Sequence, residues 1–307
     1  MTDIRSYTSV NKGSAWLGEF SHLLRGARRN KQQMGRHVAR TIAAVRAAEA
    51  MVARVAGIEL KNLDMLEVGV GQLPRQMAVL AVDNRVTGID LDVIPRGLDL
   101  GGYAAMLRTN GLKRVVKTVA RKGMGFDRSL RQELARQLGV PRLPALRVEQ
   151  MDATAMTFPE GSFDFVYSFD VFEHFPDAEA VCRECVRVLR PGGVFFTSLH
   201  PFTAEDGFHD LRIIGGQREG IAYWAHLREK HAVSVSASSY LNRLRNDRWR
   251  EVFASTMPGA TVELSVPAEI EQLRRELAGA RASGDLCGYS DEELLAERML
   301  IVWRKPG

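Results

Sequence analysis

Cysteine is scarce in this chain, with three among 307 residues, and no even set at regular spacing suggests a disulfide framework. There is no run of about eighteen apolar residues, which argues against a helical membrane span, and no charged-then-apolar leader opens the sequence. A cytoplasmic location is the expectation. Aromatic residues make up only 7% and are not interleaved with the basic residues in the way that stacks exposed bases. Repeats and low-complexity tracts are absent. Cys182 and Cys185 form a C-x-x-C, yet Val181, Val188 and Leu189 around them read as the middle of a helix. A redox pair belongs at a helix start and a zinc pair needs partners, so both read as plain buried thiols.

The charge that is present is unevenly placed. The formal net charge is +5, but residues 93–149 hold twelve Lys and Arg against four acidic residues, and residues 1–61 hold eleven against four. The remainder is acidic, so two basic segments attached to an acidic core point to a partner or substrate of negative charge. A length of 307 residues suits one sizeable α/β domain with extensions.

The run Met65-Leu66-Glu67-Val68-Gly69-Val70-Gly71-Gln72-Leu73-Pro74 organises the rest. An apolar strand closes on a carboxylate, two glycines turn the backbone where any Cβ would intrude on a ligand, and Pro74 opens a helix. A dinucleotide fingerprint would put glycine at position 74, so the proline argues against NAD and FAD. Glu67 would repel a pyrophosphate but suits a ligand bearing an ammonium and a sulfonium. S-adenosylmethionine carries both.

Ahead of this run, Trp16, Leu17, Phe20, Leu23 and Leu24 have the spacing of a short docking helix, and Val38, Ile42, Val45, Val52 and Val55 stripe a long helix from Met34 that stops at Gly57. After it come a helix through Met77 and Val82 and a second strand ending in Asp90-Leu91-Asp92. Asp90 falls about twenty residues past the glycines, where βαβ folds place an acid for the two ribose hydroxyls; Asp92 competes as a helix cap. Residues 93–145 form a basic insertion broken by Gly97, Gly101 and Gly102. Within it, Leu112, Val115, Val116 and Val119 oppose Lys113, Arg114, Lys117, Arg121 and Lys122 on one helix, and a second helix spans Leu130 to Leu138. A lid or a surface-binding element is the expectation. The next strand reaches Asp152-Ala153, a carboxylate and an accessible backbone able to read an adenine. A turn at Phe158-Pro159-Glu160-Gly161 leads to a strand ending at Ser168, a helix over Ala178 to Leu189, a stop at Arg190-Pro191-Gly192-Gly193, and a strand from Val194. Residues 200–258 are expected to supply helices on the substrate side, and Ser290 with Glu293 a capping box. Strands at Thr261–Val266 and Met299–Trp303 finish the sheet.

Taken in order, Leu66-Glu67-Val68-Gly69-Val70-Gly71, Gly88-Ile89-Asp90, Asp152-Ala153, Phe158-Pro159-Glu160-Gly161-Ser162-Phe163-Asp164-Phe165-Val166, Glu173-His174 and Val188-Leu189-Arg190-Pro191-Gly192-Gly193 resemble the class I S-adenosylmethionine-dependent methyltransferases of the small-molecule type. The chain has Leu73 where that family often has a third glycine. The resemblance implies a Rossmann-like seven-stranded α/β sheet over residues 62–307, with residues 1–61 as an N-terminal helical extension and the helical insertion after the second strand. It also implies that Glu67, Gly69 and Gly71 line the methionine part of S-adenosylmethionine and that Asp90, with Leu91 beside it, holds the ribose. Asp152 and the Ala153 backbone would meet the adenine, and Ser168 would lie by the sulfonium. No metal is implied.

Methyl transfer to oxygen needs a proton removed, and His174 and His200, just past two strand ends, are the candidate bases. Glu173 could orient the first. An Asn/Asp-Pro-Pro-Tyr element of the kind used for planar nitrogen acceptors is missing, which favours oxygen. The expected acceptor is a small or saccharide-like molecule, anionic or lipid-linked, meeting the basic segments, with peripheral membrane contact open to the basic helix. RNA methylation is the alternative within enzymes, and a non-catalytic methyltransferase-like binding protein is the alternative outside them. A scaffold would need none of Glu67, Asp90 and Asp152.

Overall fold

The computed structural model describes residues 16–92 and 100–307. Arg96 and Gly97 lie outside the described residues, as do the side chains of Trp16, Leu17, Phe20, Leu23, Leu24, Lys113, Arg114 and Lys117. The elements run α1 (Trp16–Ala56), β1 (Asp64–Val68), α2 (Arg75–Leu80), β2 (Arg85–Asp90), α3 (Leu100–Asn110), α4 (Leu112–Gly123), α5 (Phe126–Leu138), β3 (Arg147–Gln150), β4 (Phe163–Phe169), α6 (Ala178–Val188), β5 (Leu189–Leu199), α7 (Leu211–Ile214), α8 (Asn246–Thr256), β6 (Thr261–Ser265), α9 (Ile270–Ala282), α10 (Asp291–Leu295) and β7 (Arg298–Arg304). The strands follow the order β3-β2-β1-β4-β5-β7-β6 in a seven-stranded sheet. β1 pairs in parallel with β2 and β4, and β2 with β3, whereas β6 and β7 are antiparallel. This is the mixed α/β sheet expected from the sequence.

Within the described residues the chain divides into two compact units. One comprises residues 16–167, 187–195 and 304–307, the other residues 168–186 and 196–303. In the first, Met65, Leu66 and Val68 are fully buried on β1, as continuous apolar strands of parallel sheets are. Met34, Val38, Val45, Ala48 and Val52 form a buried stripe on α1, which contacts α2 and α5. Gln137 on α5 donates to the Gly35 carbonyl at 2.9 Å, and Gly57 ends α1 with φ 68°. In the second unit, Trp224 is buried with Leu277, Leu286 and Leu294 and donates its indole N–H to the Leu294 carbonyl at 3.1 Å. Cys182 and Cys185 are buried and unpaired on α6, where burial pushes the Cys182 thiol up to about 12.

Four local expectations change. α1 is one helix from Trp16, with no break before Met34. α3 runs straight through Gly101 and Gly102, since two helical glycines cost only about 1 kcal/mol each and Met106 on this helix is fully buried. β5 begins at Leu189, so the Arg190-Pro191-Gly192-Gly193 segment is strand from the outset. It is held by hydrogen bonds from Gly192 N–H to the Lys305 carbonyl (3.0 Å) and from Lys305 N–H to the Gly193 carbonyl (2.8 Å). A Cβ on Gly193 would sit 2.9 Å from the Arg190 carbonyl oxygen and 3.0 Å from that of Asp164. Finally, residues 200–258 are mostly loop, with α7, two 3-10 turns and α8 as their only helices.

Candidate functional site

In the first unit β1 delivers the backbone into the glycine turn. Gly69 and Val70 N–H groups both donate to the Ile89 carbonyl, at 2.8 and 3.2 Å, stitching the turn to the end of β2. Gly69 and Gly71 hold φ 77° and 63°, where glycine alone is unstrained. A Cβ on Gly71 would meet nothing within 4 Å, so the turn borders open space. Gly88, in register with Glu67, is required sterically: a Cβ there would run into Val70 Cγ1 and lie 3.1 Å from Met77 Sδ.

Asp90 fastens this turn. Its Oδ2 accepts from Gly71 N–H and its Oδ1 from Asp92 N–H, both at 2.8 Å; a carboxylate oxygen can accept more than one hydrogen bond. Met151 N–H donates to the Asp90 carbonyl at 2.9 Å, which brings Asp152 beside the tip of β2. Asp152 Oδ1 accepts from the N–H and hydroxyl of Thr154, at 2.8 Å each; Ala153 is buried; Gln150 donates to the Leu91 carbonyl at 3.1 Å. Glu67, Gly69, Gly71, Asp90, Leu91, Asp152 and Ala153 therefore gather at the ends of β1, β2 and β3.

Glu67 is 2% exposed and accepts a hydrogen bond from the Tyr167 hydroxyl at 2.8 Å. Burial pushes its carboxyl up to about 8, with the Tyr167 hydrogen bond pulling it back and the Asp90 charge pushing it further. A cation placed beside it would favour the ionised form. An open glycine turn, a buried carboxyl answering to positive charge and two carboxylates on adjacent strand tips fit S-adenosylmethionine, with its cationic amino-acid end, ribose and adenine. The insertion is tied to the same turn: Arg121 on α4 pairs with Asp127 at 2.7 Å and donates to the Gln72 carbonyl at 3.2 Å.

The second unit holds a cluster of imidazoles past the ends of β4 and β5. Three successive tight turns build it: Ala204 N–H to the Pro201 carbonyl (3.0 Å), Gly207 N–H to the Ala204 carbonyl (3.0 Å) and His209 N–H to the Asp206 carbonyl (2.9 Å). They curl residues 201–209 back onto His200. Its Nε2 lies 2.7 Å from Asp206 Oδ1 and its Nδ1 2.9 Å from His209 Nε2. The carboxylate can only accept, so His200 donates from Nε2 and, when neutral, receives the His209 N–H at Nδ1. Burial pushes Asp206 up, but the His200 hydrogen bond and the charges of His200 and Arg298 outweigh it and hold the carboxyl well below the usual range. Burial lowers His209 to about 3, helped by His200 and His174.

His174 meets the His209 ring edge-on, with centroids 5.1 Å apart. Its Nδ1 is 2.7 Å from the Tyr240 carbonyl, which makes Nδ1 the protonated nitrogen and leaves Nε2 as a bare acceptor. Burial lowers its pKa, opposed by that carbonyl and by Asp170. Asn242 staples the turn that carries His174, donating to the Phe172 and Phe175 carbonyls at 3.0 Å each. Asp170 and His209 both sit at positive φ, 53° and 56°, a strain common where side chains are held for function. Arg298 pairs with Asp170 at 2.8 Å. Glu173 is buried and accepts from His200 N–H at 3.3 Å rather than from the His174 ring; burial pushes its carboxyl up. Ser168 is fully buried, and its hydroxyl has no partner among the described residues.

His174 and His200, singled out in the sequence, thus meet in one cluster, whereas Asp206 and His209 were not foreseen. Nothing in a loop without periodicity marks them, and only the turn hydrogen bonds bring them to His200. Tyr167 was hidden for a different reason, since it reads as one more apolar strand residue until its register opposite Glu67 is known.

A methyltransferase-domain family model matches residues 100–197. The sarcosine/dimethylglycine N-methyltransferase of Halorhodospira halochloris is 32% identical over 220 residues, covering 70% of this chain and 69% of that protein. The 27-O-demethylrifamycin SV methyltransferase of Amycolatopsis mediterranei is 29% identical over 167 residues, 52% of this chain and 58% of that one. A sterol 24-C-methyltransferase of Aspergillus fumigatus is 52% identical over a 44-residue stretch, 14% of this chain and 12% of that one. The chain thus spans less than two thirds of the length of the last two relatives.

Proposed function

The chain belongs to the class I S-adenosylmethionine-dependent methyltransferases, and from that premise we propose that it methylates a hydroxyl oxygen of a small, saccharide-like acceptor bearing negative charge. The observation that carries this reading is the His174 ring, whose Nδ1 is committed to the Tyr240 carbonyl while Nε2 has no hydrogen-bond partner among the described residues. S-adenosylmethionine, when bound, supplies a methyl group on a sulfonium ready for in-line displacement. Glu67, Gly69, Gly71, Asp90, Leu91, Asp152 and Ala153 would hold it. His174 takes the acceptor proton at Nε2, and the imidazolium so formed is stabilised by the Tyr240 carbonyl and the Asp170 charge. Both His200 nitrogens are occupied by Asp206 and His209, so His200 is a positioning residue that fixes His209 against His174. The excess of positive charge in residues 1–61 and 93–149 is what supports negative charge on the acceptor.

A nitrogen acceptor is the second reading. It draws support from a cavity of about 260 Å³ whose lining includes Glu205, Asp206, Glu269 and Glu297 against the single cation Arg218, an environment suited to an amine, and from the printed name of the Halorhodospira relative. S-adenosylhomocysteine release measured across panels of sugars, sugar phosphates, phenols and methylated amines separates the two. Turnover on hydroxyl acceptors alone is expected, with His174→Gln losing about 100-fold or more in kcat, the scale of general-base catalysis, while cofactor affinity holds. Turnover confined to amines, or a His174→Gln enzyme of full activity, would overturn the oxygen reading.

A further inference from the structure

α5 and the chain following it border an open cavity of about 530 Å³, within the usual size range of small-molecule sites. Four arginines line it, Arg128, Arg131, Arg136 and Arg142, and no carboxylate does. Among the described residues only one of the four is neutralised: Arg136 forms a bidentate pair with Glu133 at 2.6 and 2.9 Å. Arg131 is half-buried and spends one nitrogen on the Leu143 and Pro144 carbonyls, at 3.2 and 2.9 Å, which secures the far wall. Burial and the nearby Arg142 charge both lower its pKa, a sign that like charges crowd here. Arg128 and Arg142 are exposed, and neither has a carboxylate partner among the described residues. Ala135, Val140 and Leu143 supply apolar wall between them, with Ala135 and Leu143 buried.

Guanidinium groups are planar forks that match phosphate oxygens two at a time. Three uncompensated ones around a single concavity repel each other until an anion enters. We propose that this cavity binds a phosphate monoester carrying an apolar group, the phosphate on Arg128, Arg131 and Arg142 and the apolar part along Ala135, Val140 and Leu143. None of these residues belongs to the cofactor cradle or the imidazole cluster, so the site is additional to methyl transfer and does not depend on the acceptor. A soluble ester and a lipid headgroup present the same chemistry. Exposed Leu112, Val119 and Met124, on and just beyond α4 of the same insertion, would meet lipid tails in the second case.

Calorimetric titration of the full chain with octyl phosphate, inorganic phosphate and octyl glucoside tests this, comparing wild type with the Arg128→Gln/Arg142→Gln double variant. Both positions are exposed, and an unchanged melting temperature and S-adenosylmethionine affinity verify folding. Octyl phosphate is expected to bind about tenfold more weakly to the double variant and to weaken as salt is raised to about 0.5 M, with octyl glucoside not binding and inorganic phosphate binding less well than the ester. Flotation with vesicles of phosphatidylcholine containing phosphatidic acid, lost in the double variant, identifies the lipid headgroup as the source. Octyl phosphate binding without flotation identifies a soluble ester. Absence of binding to both probes, or binding that the double substitution leaves unchanged, overturns the proposal.

Discussion

Glu67 responds to pH against the usual direction for a carboxylate. Its folded value of about 8 lies above the ordinary 4.5, so the folded chain holds a proton that the unfolded chain has released. Stability therefore falls as pH rises from about 4.5 to about 8, the sign opposite to that of a salt-bridged acid. Glu67→Gln removes the titration yet keeps an oxygen for the Tyr167 hydroxyl. The stability difference between pH 5 and pH 8 is expected to shrink by a few kcal/mol, measured by denaturant unfolding at both; an unaltered difference would show that the carboxyl is already ionised when buried. Asp90 is the second residue to test. Asp90→Ala strips the Gly71 and Asp92 N–H groups of their acceptor and should weaken S-adenosylmethionine binding by roughly 1–3 kcal/mol in calorimetry, with equal affinity refuting its role. Glu67, Asp90 and Asp152 could be found from sequence because a strand-turn-helix motif and its downstream acid are local patterns. Tyr167 and the Arg121 bond to the Gln72 carbonyl could not, because strand register and helix packing create them.

At the scale of elements, apolar runs marked the strands well, and capping chemistry marked α10: Ser290 accepts from Glu293 N–H at 3.1 Å. The reciprocal half of that capping box is absent, since the Glu293 carboxylate pairs instead with Arg245 at 2.6 Å. Tertiary partners also explain β5, where Lys305 turns a proline-glycine stop into strand. The loop over residues 201–209 is the element on which the imidazole cluster depends, and Gly207 is its tight point. A Cβ there would run into the backbone carbonyls of Pro201 and Phe202, and backbone cannot step aside as a side chain can. Gly207→Ala should destabilise by about 1–3 kcal/mol and disrupt the His200–Asp206–His209 chain. Loss of methyl transfer with cofactor affinity intact is the outcome to look for, and an active, equally stable variant would mean the loop can open without consequence.

For the whole molecule, buried groups of opposite sense set a pH window. His209 and His226 are lowered by burial from 6.5 to about 3 and about 4, so the unfolded chain binds more protons there and stability is lost as pH falls below about 6.5. Glu67 removes stability on the other side, up to about pH 8. Melting temperature across buffers should accordingly be highest near about pH 6.5, lower near pH 8 and lower again by about pH 4, because below pH 6.5 two histidines losing stability outweigh one carboxyl gaining it; a steady rise to pH 8 would contradict the protonated state of Glu67. Among the described residues no helix is long and apolar enough to cross a membrane.

Arg304 donates to the Ala56 carbonyl at 3.1 Å across 248 positions of sequence, and Lys305 closes on Gly192 and Gly193. On the ribosome these partners are made seconds to tens of seconds apart, at a synthesis rate of about 5–20 residues per second. The first unit can settle its N-terminal helix early but must hold residues 187–195 open until Arg304 and Lys305 have emerged, so this part of the sheet closes late and is exposed to chaperones and proteases while it waits.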